Sequence, residues 1–327
     1  MIPADPRRLH GLRIGLSISV PPDMQGSDDP QFVINATTFR MGSFLLTEGA
    51  SLVLGHKWRP DGVLDHLTHR AVSSRWAPLG SQAGERPAPR ILNLLAWPDL
   101  PPDDDSAAQR LIKDGILEIR QVRPPGFPDD FLDKANSPEA IKEILATPEG
   151  KLARIRAFTA MRQDLVAISD ARLCLGGASG APDRRRLPGL IEEAILTFLA
   201  GRALYISSAL GGASKAMSDV ILQRRMPDEA KELFFSSPAV VSLIADLAGK
   251  YPPPAAISMA EYSAPSVQTA WNALEFFQST VRLEKLASQS GLNTDEYINL
   301  LTTPDPNRAL GWMISGIERI RKVQGPL

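Results

Sequence analysis

Only one cysteine, Cys174, occurs among 327 residues, so no intrachain disulfide can form and the chain fits a reducing interior. Neither sign of charge dominates, with 36 Lys+Arg against 37 Asp+Glu and a formal net charge of -1. That balance gives no long-range attraction to nucleic acid or to an anionic membrane, and any anion site has to be local. Long apolar runs are missing as well: no stretch approaches the ~20 residues of a membrane span, and the opening residues 1–23 hold no sustained apolar segment of the kind a signal peptide needs. The expectation is a soluble, cytoplasmic protein with neither a membrane nor a nucleic-acid partner.

Several sharp motifs are also absent. No G-x-G-x-x-G follows the first apolar run and no G-x-x-x-x-G-K-[ST] occurs, which speaks against a dinucleotide-dependent dehydrogenase and a Walker-type NTPase. There is no G-x-S-x-G elbow for serine hydrolysis. His66 and His69 have a spacing that can hold a metal, with His56 nearby, but no cysteine or carboxylate completes a pattern, so no metal is expected.

What is present is a hydrophobic fraction of 43% with 22% charged residues, enough for a packed core. The 28 prolines exclude a coiled coil and cut the chain into segments. Short β-branched apolar runs predict strands at 13–20, 51–54, 91–96, 116–122, 171–175 and 203–207. Between them, helical patterns run from Thr37 or Thr38 to Gly49, through 63–71 and 107–112, and over 188–199. Ser137-Pro138-Glu139 and Thr147-Pro148-Glu149 each supply a hydroxyl cap, a proline at the first helical position and an acid in the first turn, and the second of these helices should reach Leu165. Alternation of strand and helix predicts an α/β fold, a doubly wound, mostly parallel, Rossmann-like sheet. After Gly212 no strand is expected; helices over 226–249, 271–286, 294–301 and 306–323 form a C-terminal extension, dividing the chain into 1–225 and 226–327.

In such a sheet, ligands bind where loops leave the carboxyl ends of the strands. Four unusual segments fall there: Ser17 and Ser19 before Pro21-Pro22, the loop from Gly55 through Lys57 and Arg59 to Gly62, the stretch from Gly176-Gly177 through Arg184-Arg185-Arg186 to Gly189, and Gly211-Gly212. The glycines allow close backbone approach, and helix starts at Gly62 and Gly189 present N–H groups to phosphate oxygens. Lys57, Arg59 and the arginines of the insert, Arg186 among them, can close over phosphate, although charged loop residues are also commonly just solvated. Arg162, on a helix leading into the fifth strand, can aim a planar fork at phosphate or carboxylate. Glu192 and Glu193 sit in the first turn of a helix, where one carboxylate can hold ribose hydroxyls or serve as an acid/base, and where acids also stabilise the helix by themselves. Two adjacent glutamates are expected to point apart. Lys215 after Gly211-Gly212 reads equally well as a phosphate ligand or as a surface lysine, and Cys174 and Trp271 read as packing.

The order Met161-Arg162, Ser169-Asp170-Ala171, Gly176-Gly177 and Pro188-Gly189-Leu190-Ile191-Glu192-Glu193 resembles the LOG-type phosphoribohydrolases of the SLOG superfamily. That family carries Met-x-x-Arg-Lys, Ser-Asp-Ala and Pro-Gly-Gly-x-Gly-Thr-x-Glu-Glu. Here Met161 and Arg162 are adjacent, Gln163 replaces the lysine, and residues 178–187 are inserted into the glycine turn. The variant is more similar to SLOG ligand-sensing domains of prokaryotic antiviral and nucleotide-signalling systems, such as the Thoeris effectors, whose SLOG domain binds a cyclic ADP-ribose isomer. The resemblance implies binding of a phosphorylated nucleoside or an NAD-derived, ADP-ribose-like ligand, with no further cofactor, self-association into a homo-oligomer and an effector protein as a possible partner. Its enzymatic alternative is hydrolysis of a ribosyl N-glycoside, of a nucleoside 5′-monophosphate or NAD, with Glu192, Glu193 and Arg162 as the catalytic groups. A third alternative is an assembly protein with a vestigial pocket. The missing lysine and the altered turn favour binding over catalysis.

Overall fold

Six runs rich in Leu, Ile and Val pair into one sheet: β1 (Arg13–Ser19), β2 (Ser51–Leu54), β3 (Ile91–Ala96), β4 (Leu117–Val122), β5 (Ala171–Gly176) and β6 (Ala203–Ser207). The computed structural model describes residues 7–21, 29–55, 62–73, 90–102, 107–177, 187–252 and 273–324. The strand order is β4-β3-β2-β1-β5-β6 and every neighbouring pair is parallel. A parallel sheet needs both faces covered, because its crossover connections are helices. These are α1 (Pro30–Thr47), α2 (Val63–Ser73), α3 (Ala107–Lys113), α4 (Asp129–Leu132), α5 (Pro138–Ala146), α6 (Pro148–Ile168) and α7 (Gly189–Leu199), and α8 (Gly212–Ile221) follows the last strand. The Rossmann-like α/β architecture with C-terminal helices follows.

Local chemistry sets the helix starts. Ser137 Oγ accepts from Ala140 N at 3.2 Å and Thr147 Oγ1 from Gly150 N at 3.0 Å, the two hydroxyl caps the sequence predicts. α1 differs from expectation, because it begins at Pro30 rather than at Thr37 or Thr38. Asp29 caps it by accepting from Phe32 N at 3.0 Å, and Thr38 turns its hydroxyl back to Ile34 O at 2.8 Å. An Asp-Pro pair is a complete start signal, and it outweighs a mid-helix threonine.

Beyond α8 the chain adds α9 (Asp228–Lys231), α10 (Pro238–Leu247), α11 (Ala273–Ser279), α12 (Leu283–Gln289), α13 (Thr294–Thr302) and α14 (Pro306–Gln324). The continuous helix expected over 226–249 is broken: a 3-10 turn, Glu232–Phe234, follows α9, and Pro238 starts a new helix capped by Ser237. The one expected over 271–286 is likewise split, with Thr280 to Arg282 between α11 and α12; Trp271 lies outside the described residues.

The last helices dock on the sheet. Tyr205 of β6 donates to Ser290 O at 2.8 Å, while Ser290 Oγ and Tyr297 OH each donate to Leu204 O at 2.7 Å. One apolar core runs without interruption from Ile14 and Leu173 in the sheet to Leu300 and Ile317 in α13 and α14. A second cluster packs α6 and α10 onto Val53, Leu92 and Leu94. Among the described residues no helix is long and apolar enough to cross a membrane.

Candidate functional site

The strand order decides where a ligand can enter. The chain lays β2, β3 and β4 outward on one side of β1 and then returns to place β5 on the other side, so the carboxyl ends of β1 and β5 form the topological switch point. Ser19 and Gly176 stand opposite each other there. Gly177 N donates to Ser19 O at 2.9 Å. Gly176 and Gly177 have φ of +66° and +91°, a region L side chains avoid, and a Cβ on Gly176 would lie 2.6 Å from Ser19 O.

The turn after β6 closes onto this pair. Ala213 N donates to Gly177 O at 3.1 Å; Ser214 Oγ accepts from Gly176 N at 2.8 Å and donates to Gly211 O at 3.0 Å. A Cβ on Gly212 would stand 2.4 Å from Gly177 O and 2.6 Å from Pro21 Cβ. Gly176, Gly177, Gly211 and Gly212 therefore form one backbone shelf over the end of β1. Two helices begin beside it, α8 at Gly212 and α7 at Gly189, with Leu190 packed against Gly177. The N-caps of these helices, Gly211 and Pro188, supply no side-chain hydrogen bond. Helix N-termini of this kind carry partial positive charge and favour anions.

Beneath α7 lies a buried ionic network. Arg162 of α6 donates to Glu192 Oε2, and Thr159 Oγ1 donates to Glu192 Oε1 at 2.9 Å, so both oxygens of a fully buried carboxylate are engaged. Glu193 Oε2 accepts from Ser17 and, at 2.8 Å, from Arg172; Arg172 also donates to Ser17 Oγ at 2.8 Å. Arg162 Nε stands 3.9 Å from Glu193 Oε1, which joins the two halves. Two guanidinium and two carboxylate groups thus neutralise one another between α6, α7, β1 and β5. The adjacent glutamates point to different partners, as expected, but both stay inside the fold. α6 and α7 pack side by side on the sheet, and Glu192 meets α6 while Glu193 meets the strands.

Arg172, missed by sequence reasoning, holds this network from below. It is 1% exposed and is among the largest fully buried side chains. Its sequence signal is a lone arginine inside the apolar run Ala-Arg-Leu-Cys-Leu, where an unpaired charge would be prohibitive. Gly15, its neighbour on β1, makes the room: a Cβ there would lie 2.7 Å from Arg172 Cζ. Thr159, the other missed member, carried no signal beyond its place one helical turn before Arg162.

Other expected residues lie farther out. Gly55 packs on α6 beside Leu165 and Met161, and Gly62 leads into α2. Arg162 NH2 would sit 2.8 Å from a Cβ on Gly189, so that glycine admits the guanidinium beneath the start of α7. Lys215 pairs with Asp219 at 2.6 Å, in line with the surface-lysine reading. Lys57, Arg59, Arg184, Arg185, Arg186 and His56 lie outside the described residues. His66 packs its ring against Phe39 at 6.2 Å, and His69 faces Asp65 at 3.6 Å. Among the described residues no group of three His, Cys, Asp or Glu can hold a metal ion. Cys174 is fully buried, and burial pushes its thiol up to about 12.

Residues 8–296 match the family model described as SLOG cluster2. No curated protein and no solved structure matches the chain.

Proposed function

The chain belongs to the SLOG cluster2 family, and on that premise we propose that it binds and senses a phosphorylated nucleoside or an ADP-ribose-like, NAD-derived small molecule at the switch point between β1 and β5. Membership supports a nucleotide-related ligand-binding or sensing domain; the ligand, and a role in a prokaryotic antiviral signalling system, are this proposal's own. The observation that carries it is the four-glycine shelf with the starts of α7 and α8 beside it. The glycines let the turns after β5 and β6 pack backbone against backbone at the strand ends, and the helix dipoles beside them supply a field for a phosphate's charge.

Glu193 is the carboxylate best placed to reach a ligand. Its side chain keeps 13% exposure, whereas Glu192 has none. Hydrolysis of an N-glycosyl bond is the weaker reading. A general acid or base must reach the scissile atom, and Glu192 spends both oxygens on Thr159 and Arg162. Glu193 is better suited to accept hydrogen bonds from ribose hydroxyls through the oxygen that Ser17 and Arg172 leave open.

Isothermal titration against ADP-ribose, its cyclic isomers, NAD and nucleoside monophosphates tests the proposal. A saturable heat with at least one of them, weakened roughly tenfold by Glu193→Gln, is the expected result. No binding across the panel overturns it, and release of free base or nicotinamide would move the chain to the hydrolase class.

A further inference from the structure

A second concave site lies at the opposite end of α8. There a cavity of about 1140 Å3 opens between the end of α8, residues 223–228 and the corner from α11 to α12. Its floor is apolar, with buried Met226, Phe277 and Val281. Its rim is basic. Arg224, Arg225 and Arg282 line it and are exposed, and their guanidinium groups make no hydrogen bond or ion pair among the described residues. Lys231 is already paired with Asp228 at 2.7 Å, and Glu284 is the other lining carboxylate. Positive groups exceed negative ones by two around this cavity, on a chain whose formal net charge is -1.

The backbone contributes to this arrangement. Gln223 has φ of 54°, the one positive value outside glycine among the described residues, and Arg224 N donates to Asp219 O at 2.7 Å. A left-handed glutamine is uncommon and locally unfavourable. Here it ends α8 and turns the chain so that Arg224 and Arg225 join the cavity wall.

We infer that this cavity binds a small organic phosphate carrying at least two negative charges, at a site separate from the glycine shelf. Guanidinium forks match phosphate oxygens two at a time, and unpaired ones give up no existing partner to do so. The floor of Met226, Phe277 and Val281 accepts the organic body, and the volume exceeds the ~300–1,000 Å3 of ordinary small-molecule sites. α8 links the two places: Gly212 lies in the shelf and Ile221 in the cavity wall, at the two ends of a helix of 10 residues, about 15 Å long. The inference stands on the cavity alone and does not depend on the reading of the shelf.

Fluorescence anisotropy of N-methylanthraniloyl-ATP with the full chain at low salt tests it. Saturable binding is expected, weakened at least tenfold by Arg225→Glu or by Arg282→Glu and further by the pair. Both side chains are exposed and unbonded, so the thermal midpoint of each variant should match that of the parent. Inorganic tripolyphosphate should compete at least tenfold less well than unlabelled ATP, because it leaves the apolar floor empty. Absent binding, affinity indifferent to both charge reversals, or tripolyphosphate competing as well as ATP would each overturn the inference. Displacement by hexaglutamate at the concentration at which ATP displaces would also overturn it, and would mark the rim as a surface for acidic peptides.

Discussion

Arg162 and Glu192, thirty residues apart in the chain, meet in a hydrogen bond buried between α6 and α7. The carboxylate is fully shielded from solvent and the guanidinium nearly so. With Arg172 and Glu193 they make a neutral quartet, and neutrality is what allows four charges to sit inside the fold. The same quartet fixes the first turn of α7 relative to β1 and β5, and through it the height of the glycine shelf.

Removing one member should therefore cost far more than removing a pair. Glu192→Ala leaves Arg162 buried without its counter-ion, and about 3–5 kcal/mol of stability should be lost in urea denaturation. The double variant Arg162→Met, Glu192→Leu should recover most of that loss. A single variant as stable as the parent would mean that the network opens to water in solution.

The shelf should tolerate no side chain. Gly212→Ala places a Cβ 2.4 Å from Gly177 O at a φ of +61°, so the turn must move, at a cost of roughly 1–3 kcal/mol. Calorimetric titration of this variant with the ligand found for the parent should show binding lost even under conditions where the circular dichroism spectrum is unchanged. Gly201→Ala is the control, since a Cβ there meets nothing within 4 Å although its φ of +67° carries the same backbone penalty.

Cys174 should be silent to thiol reagents. Its folded thiol titrates at about 12, against an ordinary value of 9.0, because burial disfavours the thiolate. A group whose proton is held more tightly in the folded state contributes stability that is fully present below the unfolded value and is lost as pH rises through the folded one. Stability should thus decline between pH 9.0 and about 12, less steeply in Cys174→Ala. Iodoacetamide at pH 8 should label the protein only after denaturant is added; rapid labelling of the native protein would contradict the packing.

The C-terminal helices should be needed for folding. Tyr297 OH and Ser290 Oγ share Leu204 O as acceptor, so Tyr297→Phe leaves that carbonyl one partner and should cost only about 1 kcal/mol. Ending the chain after residue 225 uncovers Leu204 and Tyr205, both buried in the sheet, and should give no cooperative thermal transition. A sharp transition from the truncated chain would establish residues 1–225 as an independent domain.

The caps and strands were legible because their signals are local. Ser137-Pro138-Glu139 and Thr147-Pro148-Glu149 carry all their chemistry within three residues, and each starts the helix expected of it. Where signals competed, the reading slipped. Thr38 has the right side chain for a cap but sits inside α1, which Asp29 and Pro30 had already started. The start of α8 was not foreseen, because a glycine pair reads as a turn until its carbonyl and N–H partners across the sheet are known.

Amino-acid order alone determined a parallel α/β chain with glycine-rich strand ends, since periodicity, proline and glycine act over a few residues and need no partner. Only the tertiary structure decided that Gly15 makes room for Arg172, that both Glu192 and Glu193 turn inward, and that Arg224, Arg225 and Arg282 surround one cavity. Those facts depend on which surfaces meet across long sequence separations. The electrostatic cost of burying a charge is settled by the partner it finds there, which its sequence neighbours do not reveal.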